Sequence, residues 1–425
     1  MSSTDTNEAA GLPARAAALE ILQAALSGRA GLEGGLAHPA VRALEPRDRG
    51  FARALAMATL RHLGAIDAAL QARLKKPPPE RVVNILRIGA AQLFVLNTPP
   101  HAAVGATVAL APKIFTGLVN AVLRGLTREP PDLMAPELLA PQWLYARWLS
   151  TYGAEAARAI AAQIAAEPPT DLSLKAPSDA ADLAPSLEAE VLPGGTLRTA
   201  RGGDIAQWPG FEDGTWWVQD ASAAVPARLL DVQPGQTVLD LCAAPGGKTL
   251  QLAAAGAIVT ALDRSGPRLR RVKENLSRMG LSAEIVEADG AGWPDRRTFD
   301  AVLLDAPCSA TGTFRRHPDV LWVASPRDVA SLAAVQARLL DSAARRVKPG
   351  GRLVYCVCSL EPEEGEAQAA GFLARSKDFA LEAIAAGEGG APEASLRPDG
   401  TLRILPHHRD GGTDGFYIAR FRRAA

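Results

Sequence analysis

The sequence predicts an α/β protein: a doubly wound parallel sheet in the C-terminal half, preceded by a small α+β subdomain and an all-helical N-terminal domain. Three observations carry this reading. From Trp216 onward, short apolar runs alternate with helical patterns of roughly ten residues and Gly-rich turns, the signature of βαβ units. Up to about residue 128, apolar positions recur at three- and four-residue spacing with no strand pattern between them. All four cysteines, Cys242, Cys308, Cys356 and Cys358, end or follow apolar runs of the second half, at strand ends, where α/β proteins gather their chemistry.

Taken in order, Ser2 to Ala10 is polar and lacks the basic and apolar regions of a targeting peptide. Residues 13–27 and about 47–128 read as helices, with Val83, Leu86, Ala90, Leu93 and Phe94 on one face and proline breaks at Pro77-Pro78-Pro79 and Pro99-Pro100. This defines a helical domain over 1–130. A Pro-rich linker follows over 131–141, and a small α+β subdomain over 142–215. In the subdomain, Trp143 to Ala166 reads as one helix, and Leu172–Leu174 and Glu188–Leu192 as short extended runs. The third domain, 216–425, has expected strands at Thr237–Leu241, Ile258–Leu262, Glu284–Glu287, Ala301–Leu304 and Arg352–Val357. Helices are expected at about 248–255, 267–279, 327–346 and 362–374. Gly415 to Phe421 reads as a late strand, the antiparallel partner of another edge strand.

Composition excludes several classes. Lys+Arg and Asp+Glu both total 46, so net charge argues for no particular partner. Residues 1–140 hold 15 basic and 11 acidic side chains, a basic tilt too mild to be a patch. The cysteine spacing is not a secreted disulfide framework, and no apolar stretch reaches the roughly 18 residues that span a bilayer. A cytoplasmic protein is expected.

Asp240-Leu-Cys-Ala-Ala-Pro-Gly-Gly-Lys-Thr249 invites a nucleotide reading, but a Walker loop would need glycine where Cys242 stands, and G-x-G-x-x-G is absent. What remains is a tight small-residue turn that lets a ligand approach the backbone without a demand for phosphates. Asp263 ends the second strand about 17 residues beyond Gly246, where an acidic side chain takes ribose hydroxyls. Asp289 ends the third, placed to reach a base or amine. A nucleoside without pyrophosphate fits, and S-adenosylmethionine is the candidate cofactor. The expected lining is Cys242, Ala243, Ala244, Pro245, Gly246, Gly247, Lys248, Asp263, Asp289 and Asp305. Cys356 and Cys358 alternate on a strand and share a face. They supply two ligands with no partner cluster at zinc spacing, and His38, His62, His101, His317, His407 and His408 are scattered, so no metal is expected.

Four segments carry a family resemblance: Val218-Gln-Asp-Ala-Ser222, the Asp240–Thr249 turn, Asp305-Ala-Pro-Cys-Ser-Ala-Thr-Gly312 with Arg316-His-Pro-Asp319, and Cys358-Ser-Leu-Glu-Pro-Glu-Glu364. Through them the chain resembles the RNA cytosine-C5 methyltransferases of the Sun/NOL/NOP type. Arg87-Ile-Gly-Ala-Ala-Gln92 and Leu118-Val-Asn-Ala-Val-Leu-Arg124 look like the NusB-type RNA-binding domain of that family's ribosomal RNA branch. The resemblance implies a Rossmann-like S-adenosylmethionine methyltransferase domain and RNA, 16S ribosomal RNA, as substrate. A monomer without a membrane partner is expected.

The resemblance also implies site roles: Cys358 as nucleophile, Cys308 as the residue that assists adduct breakdown, Asp305 at the base's N3 and exocyclic amine, and Lys248 orienting Asp305. Carbon 5 of cytosine is a poor nucleophile, and a thiolate adding to carbon 6 pushes electrons to carbon 5, splitting one hard step into two. The target base must be single-stranded or flipped out. Arg315, Arg316, Arg49, Arg53, Arg61 and Arg124 are candidate RNA contacts. Asp410-Gly-Gly-Thr-Asp-Gly-Phe416 matches the family's Asp-Gly-Phe signature and is expected to close the active-site side of the sheet. Where relatives carry Pro-x-x-Leu-Arg-Val-Asn, this chain reads Pro169-Thr-Asp-Leu-Ser-Leu-Lys175, without the arginine and asparagine. The alternatives are a tRNA enzyme of the same fold and a non-catalytic RNA-binding or antitermination factor.

Overall fold

The computed structural model describes residues 11–27 and 31–425, so the Ser2–Ala10 segment read for targeting signals lies outside it. The chain divides into two compact units. One runs up to Glu167 and also takes in Phe314–Val323; the other comprises Pro168–Thr313 and Ala324–Ala425.

The first unit is helical. Its main helices are Leu12–Leu26, Pro46–Arg61, Leu63–Gln71, Glu80–Phe94, Pro100–Leu110 and Thr116–Arg128. They close around Leu19, Leu22, Leu55, Ile85, Ile88 and Leu123. Gly89 lets two of them approach: a Cβ there would come within 2.7 Å of Leu123. The helix expected over Trp143–Ala166 is two, Gln142–Tyr152 and Ala154–Ala165, broken at Gly153, whose φ of 84° favours glycine. The Pro-rich stretch expected to be a linker holds a helical turn, Pro136–Leu139, with Leu139 buried, so it packs as part of the unit.

Two arginines expected to contact RNA are internal. Arg61 is buried and donates to the carbonyls of Ile164, Ala166 and Arg315 at 3.1, 2.9 and 2.7 Å. Burial lowers its pKa to about 10. Arg315 is fully buried. In the same segment Phe314 packs its ring 6.1 Å from that of Trp148, and Asp319 accepts the Leu32 N–H at 2.9 Å.

The second unit contains two sheets. The smaller is antiparallel and built from β1 (Thr170–Leu174), β2 (Ala189–Leu192), β3 (Thr196–Thr199) and β4 (Trp216–Val218), in the order β2-β3-β1-β4. Its last strand comes from beyond residue 215, because Leu172–Leu174 pair with Trp216–Val218. The larger sheet comprises β5 (Thr237–Leu241), β6 (Ile258–Asp263), β7 (Glu284–Glu287), β8 (Phe299–Asp305), β9 (Val347–Val357), β10 (Phe379–Leu381), β11 (Leu402–Ile404) and β12 (Phe416–Arg423). Its order is β10-β12-β9-β8-β5-β6-β7, with β11 also on β12. Pairing is parallel from β9 to β7 and antiparallel at β12. β12 is not an edge partner: it lies between β9 on one side and β10 and β11 on the other. The helices Gly247–Ala254, Gly266–Met279, Pro326–Ala344 and Glu366–Arg375 cross between strands. Strand order reverses between β5 and β8, which opens a crevice at their C-terminal ends. Alternate residues of β9 serve opposite cores, with Leu353, Tyr355 and Val357 on one face and Val354 and Cys356 on the other. No helix among the described residues is long and apolar enough to cross a membrane.

A buried ion pair within the small sheet also fastens it to a helix and a loop of the same unit. Asp171 of β1 accepts from two of the three Arg198 guanidinium nitrogens, at 2.7 and 2.8 Å, and from the Ala221 N–H at 2.9 Å, at the start of helix Ala221–Leu229. Arg198 also donates to the Asp410 carbonyl at 2.7 Å. Removing one partner of such a pair leaves an uncompensated charge. Asp171→Ala is expected to cost about 3–5 kcal/mol in urea unfolding, whereas a cost below about 1 kcal/mol would show that the pair is dispensable.

Candidate active site

The turn after β5 is shaped by backbone that few residues tolerate. Cys242 has φ of 66° and Gly246 φ of 108°, the latter capping helix Gly247–Ala254. A Cβ at Gly247 would press within 3.3 Å of Gln219, which is itself held by Trp217 and Gln251 at 2.8 Å each. Asp263, at the end of β6, fastens the turn: it accepts the N–H of Ala244 at 3.1 Å and of Ser265 at 2.9 Å, and Arg268 lies 3.7 Å away. Asp289 is exposed and accepts the Ala291 N–H at 3.0 Å, closing its own turn. Glu287, two residues before it, is exposed at the end of β7, and nothing in the sequence pattern separates it from Asp289.

The helix start aims Lys248 across the crevice. Its ammonium lies 2.8 Å from Asp305 at the end of β8 and 5.4 Å from the Phe416 ring centroid. Burial pulls the ammonium's pKa down, but Asp305, with Cys356 and Cys358 nearby, outweighs it and raises the pKa above the ordinary lysine value. Asp305 stands opposite Cys356 in the β8–β9 register, and the Cys356 thiol donates to its second oxygen at 3.4 Å. Burial, then Asp305, pushes Cys356 well up. Beyond the strand ends the sulfurs of Cys308 and Cys358 lie 3.5 Å apart. The hydrogen bond it shares with Cys358, then burial, then the charges of Cys358 and Glu364 hold Cys308 well above its usual value. Cys242 lies in the same turn, and burial followed by Asp263 and Asp305 pushes it up.

The structure thus brings Cys308, Cys358, Asp305 and Lys248 to one edge, with Cys242, Ala243, Ala244, Pro245, Gly246, Gly247 and Asp263 in the adjoining turn. The Asp-Gly-Phe segment closes that edge. Gly415 donates to the Gly312 carbonyl at 2.8 Å, Gly312 donates to the Cys358 carbonyl at 2.9 Å, and a Cβ on Gly312 would meet Gly415 backbone at 2.2 Å. Asp220 of the Gln-Asp-Ala-Ser segment caps its helix through Ser222 at 2.9 Å and receives Thr413 and Asp414 at 3.1 Å each.

These acceptors suit one class of ligand. Carboxylates at the ends of β6, β7 and β8 match hydroxyls, amines and a sulfonium cation, and would repel a pyrophosphate. The residues present therefore fit S-adenosylmethionine.

Comparison with known proteins agrees. The sequence pattern of the family described as 16S rRNA methyltransferase RsmB/F matches residues 227–422, and that of the NusB family matches residues 12–128. The chain is 37% identical to ribosomal RNA small subunit methyltransferase B of Pseudomonas syringae pv. tomato, over 97% of each chain. It is 38% identical to the protein of the same name in Pseudomonas putida, over 97% of this chain and 98% of that one. Among solved structures, PH0851 superposes with a TM-score of 0.78 at 23% identity, covering 97% of this chain and 99% of that one. A methyltransferase homolog protein from Pyrococcus horikoshii gives 0.57 at 27% identity, covering 68% and 98%.

Asp240, at the head of the turn motif, is fully buried and accepts the Thr249 hydroxyl at 2.5 Å. Burial lifts its carboxyl to about 7. Between about pH 4 and 7 the unfolded chain therefore releases a proton that the folded one keeps, so this group's stabilising contribution is full below that window and lost as pH rises through it. Asp240→Asn keeps the shape and the acceptor. Its stability relative to wild type in urea unfolding is expected to be higher at pH 8 than at pH 5 by on the order of 1–3 kcal/mol; equal differences at both pH values would refute the ionisation.

Proposed function

The chain belongs to the RsmB/F family of 16S rRNA methyltransferases, and from that premise we propose that it methylates carbon 5 of a cytosine in 16S ribosomal RNA through a covalent Cys358 adduct. The observation that carries the reading is the pair of thiols 3.5 Å apart beside the Lys248–Asp305 ion pair. Two such sulfurs at the mouth of a cofactor turn suit a reaction in which one thiol adds to the base and another helps the adduct break down.

S-adenosylmethionine, when bound, supplies an electrophilic methyl group. The cofactor would be held by the turn from Cys242 to Lys248 and by Asp263, with Asp289 and Asp305 at its rim. Cys358 as thiolate forms a bond to carbon 6, and the displaced electron pair makes carbon 5 nucleophilic. Asp305 faces N3 and the exocyclic amine, where charge develops as the sulfur attacks. Lys248 fixes the orientation of that carboxyl group. After methylation the carbon 5 proton passes to solvent, the electron pair of that C–H bond restores the carbon 5–carbon 6 double bond, and the carbon 6–sulfur bond breaks to release Cys358 as thiolate; Cys308 serves this second half. The base enters as an unpaired or flipped nucleotide. On the helical unit, Arg49 and Arg53 lie exposed four residues apart on helix Pro46–Arg61 and suit phosphate contacts, which fix register without reading sequence.

The test uses wild type, Cys358→Ala and Cys308→Ala with labelled S-adenosylmethionine and unmethylated RNA from small ribosomal subunits. Cys358→Ala is expected to transfer no methyl group, and Cys308→Ala to accumulate a protein–RNA adduct that survives denaturation. Methyl transfer persisting in Cys358→Ala would sink the nucleophile assignment. A wild-type protein that methylates no RNA would leave the helical unit's binding role as the better reading.

A further inference from the structure

One buried carboxylate at the thiol edge belongs neither to the cofactor turn nor to the reacting pair. Glu364 has no exposed surface. One of its oxygens accepts the Ser309 backbone N–H at 2.9 Å and the Gln336 amide at 3.1 Å. The other accepts the hydroxyls of Ser309 and Ser359 at 2.5 and 2.6 Å. Ser309 directly follows Cys308, and Ser359 directly follows Cys358. The Glu364 backbone is itself fixed, since its carbonyl accepts the Tyr355 hydroxyl at 2.5 Å.

Four neutral donors thus converge on this one carboxyl group. Gln336, on helix Pro326–Ala344, also donates to the Pro307 carbonyl at 2.9 Å, so the same cluster grips the loop on both sides of Cys308. Backbone bonds tie the loop after β8 to the end of β9 at two points, Ala306 N–H to the Cys356 carbonyl at 3.0 Å and Gly312 N–H to the Cys358 carbonyl at 2.9 Å. Between those points, around Cys308 itself, the separation is set by side chains: the Ser309 and Ser359 hydroxyls lie 3.1 Å apart, and Glu364 is bonded to both.

We propose that Glu364 is a positioning residue: by holding Ser309 and Ser359 on one carboxylate, it sets the separation of the Cys308 and Cys358 sulfurs and so the geometry of adduct formation and release. The proposal rests on the reading of those two thiols as the reacting pair. Glu364 touches neither base nor cofactor in this scheme, and its charge acts in the same direction as the geometry, by helping to keep Cys308 a thiol.

The test compares the full-length protein with Glu364→Gln, which keeps the volume but turns one acceptor oxygen into a donor, and with Ser359→Ala, which removes one of the four donors to the carboxylate. Diamide takes one hydrogen from each of two thiols and is reduced to a hydrazine as the sulfurs join, so its rate reports proximity without any methyl transfer. The Cys308–Cys358 bond is identified by peptide mapping. In Glu364→Gln the coupling rate is expected to fall about tenfold, and kcat for methyl transfer by up to about 100-fold, with KM for S-adenosylmethionine unchanged. Ser359→Ala is expected to fall between the two in both readouts. Wild-type coupling and kcat in folded Glu364→Gln overturn the proposal. A lowered melting temperature with both rates unchanged per folded molecule overturns it as well, since that is a structural role alone. Should Cys358→Ala still methylate RNA, the adduct reading fails, while the diamide rate still decides whether Glu364 sets the separation.

Discussion

The parallel pairing of β8 with β9, which sets Asp305 opposite Cys356, is the constraint from which the site follows. Both strands run out at the same edge, so the loop carrying Cys308 and the turn carrying Cys358 leave the sheet side by side. A register slip of one residue would send Asp305 to the opposite face and break the match with Lys248. The register is held from both sides: β5 pairs with β8 over Val238–Leu241, and β12 pairs with β9 over Tyr417–Arg422. The antiparallel strand is thus part of the catalytic geometry, because it closes β9 and delivers Phe416 beneath the Lys248 ammonium.

On that frame, charge sorts chemically similar groups. Lys248 is the cation of the crevice, and its partner Asp305 is shared with the Cys356 thiol. Cys356 and Cys242 sit against carboxylates in dry surroundings and are held as thiols, which disfavours them as nucleophiles at neutral pH. Cys308 is held the same way, chiefly by its bond with Cys358. Four cysteines of one composition thereby acquire distinct capacities from their neighbours alone. Cys356, which has no role in the family pattern, becomes intelligible as a donor to the second oxygen of Asp305.

Much of this was legible in the sequence, for identifiable reasons. The parallel strands were readable because a strand buried on both faces is a continuous apolar run, as in Val238–Leu241 and Ala301–Leu304. The thiols and Asp305 were readable because strand ends in an α/β sheet are where side chains meet. What escaped depended on partners far away in the chain. Gly153 splits a helix whose apolar spacing continues on both sides, so periodicity ran through it. Trp216–Val218 joins the small sheet because its partner lies more than forty residues back, beyond any local signal. Asp240 and Glu364 look like surface acids in a motif; only the folded chain shows that they lie at zero exposure among hydroxyls and amides.

The arginines make the same point in the opposite direction. Arg61 is a candidate RNA contact by its place in the helical domain, and Arg315 by its place just after the Cys308 loop. A guanidinium has five donors in a fixed fork, however, and that suits the carbonyls left open where a helix ends as well as it suits phosphate. Arg61 spends its donors on Ile164 and Ala166 at the end of helix Ala154–Ala165 and on Arg315. An arginine committed to three carbonyls is a rivet, and moving it to bind RNA would leave those carbonyls buried and unpaired. The distinction between binding and bracing is therefore decided by which acceptors the fold leaves open, and residue type alone is silent about it. The same rule separates Asp305 from Glu364: both are carboxylates next to a reactive thiol, but Asp305 is partly exposed in an open crevice, whereas Glu364 has both oxygens filled by the loops it joins.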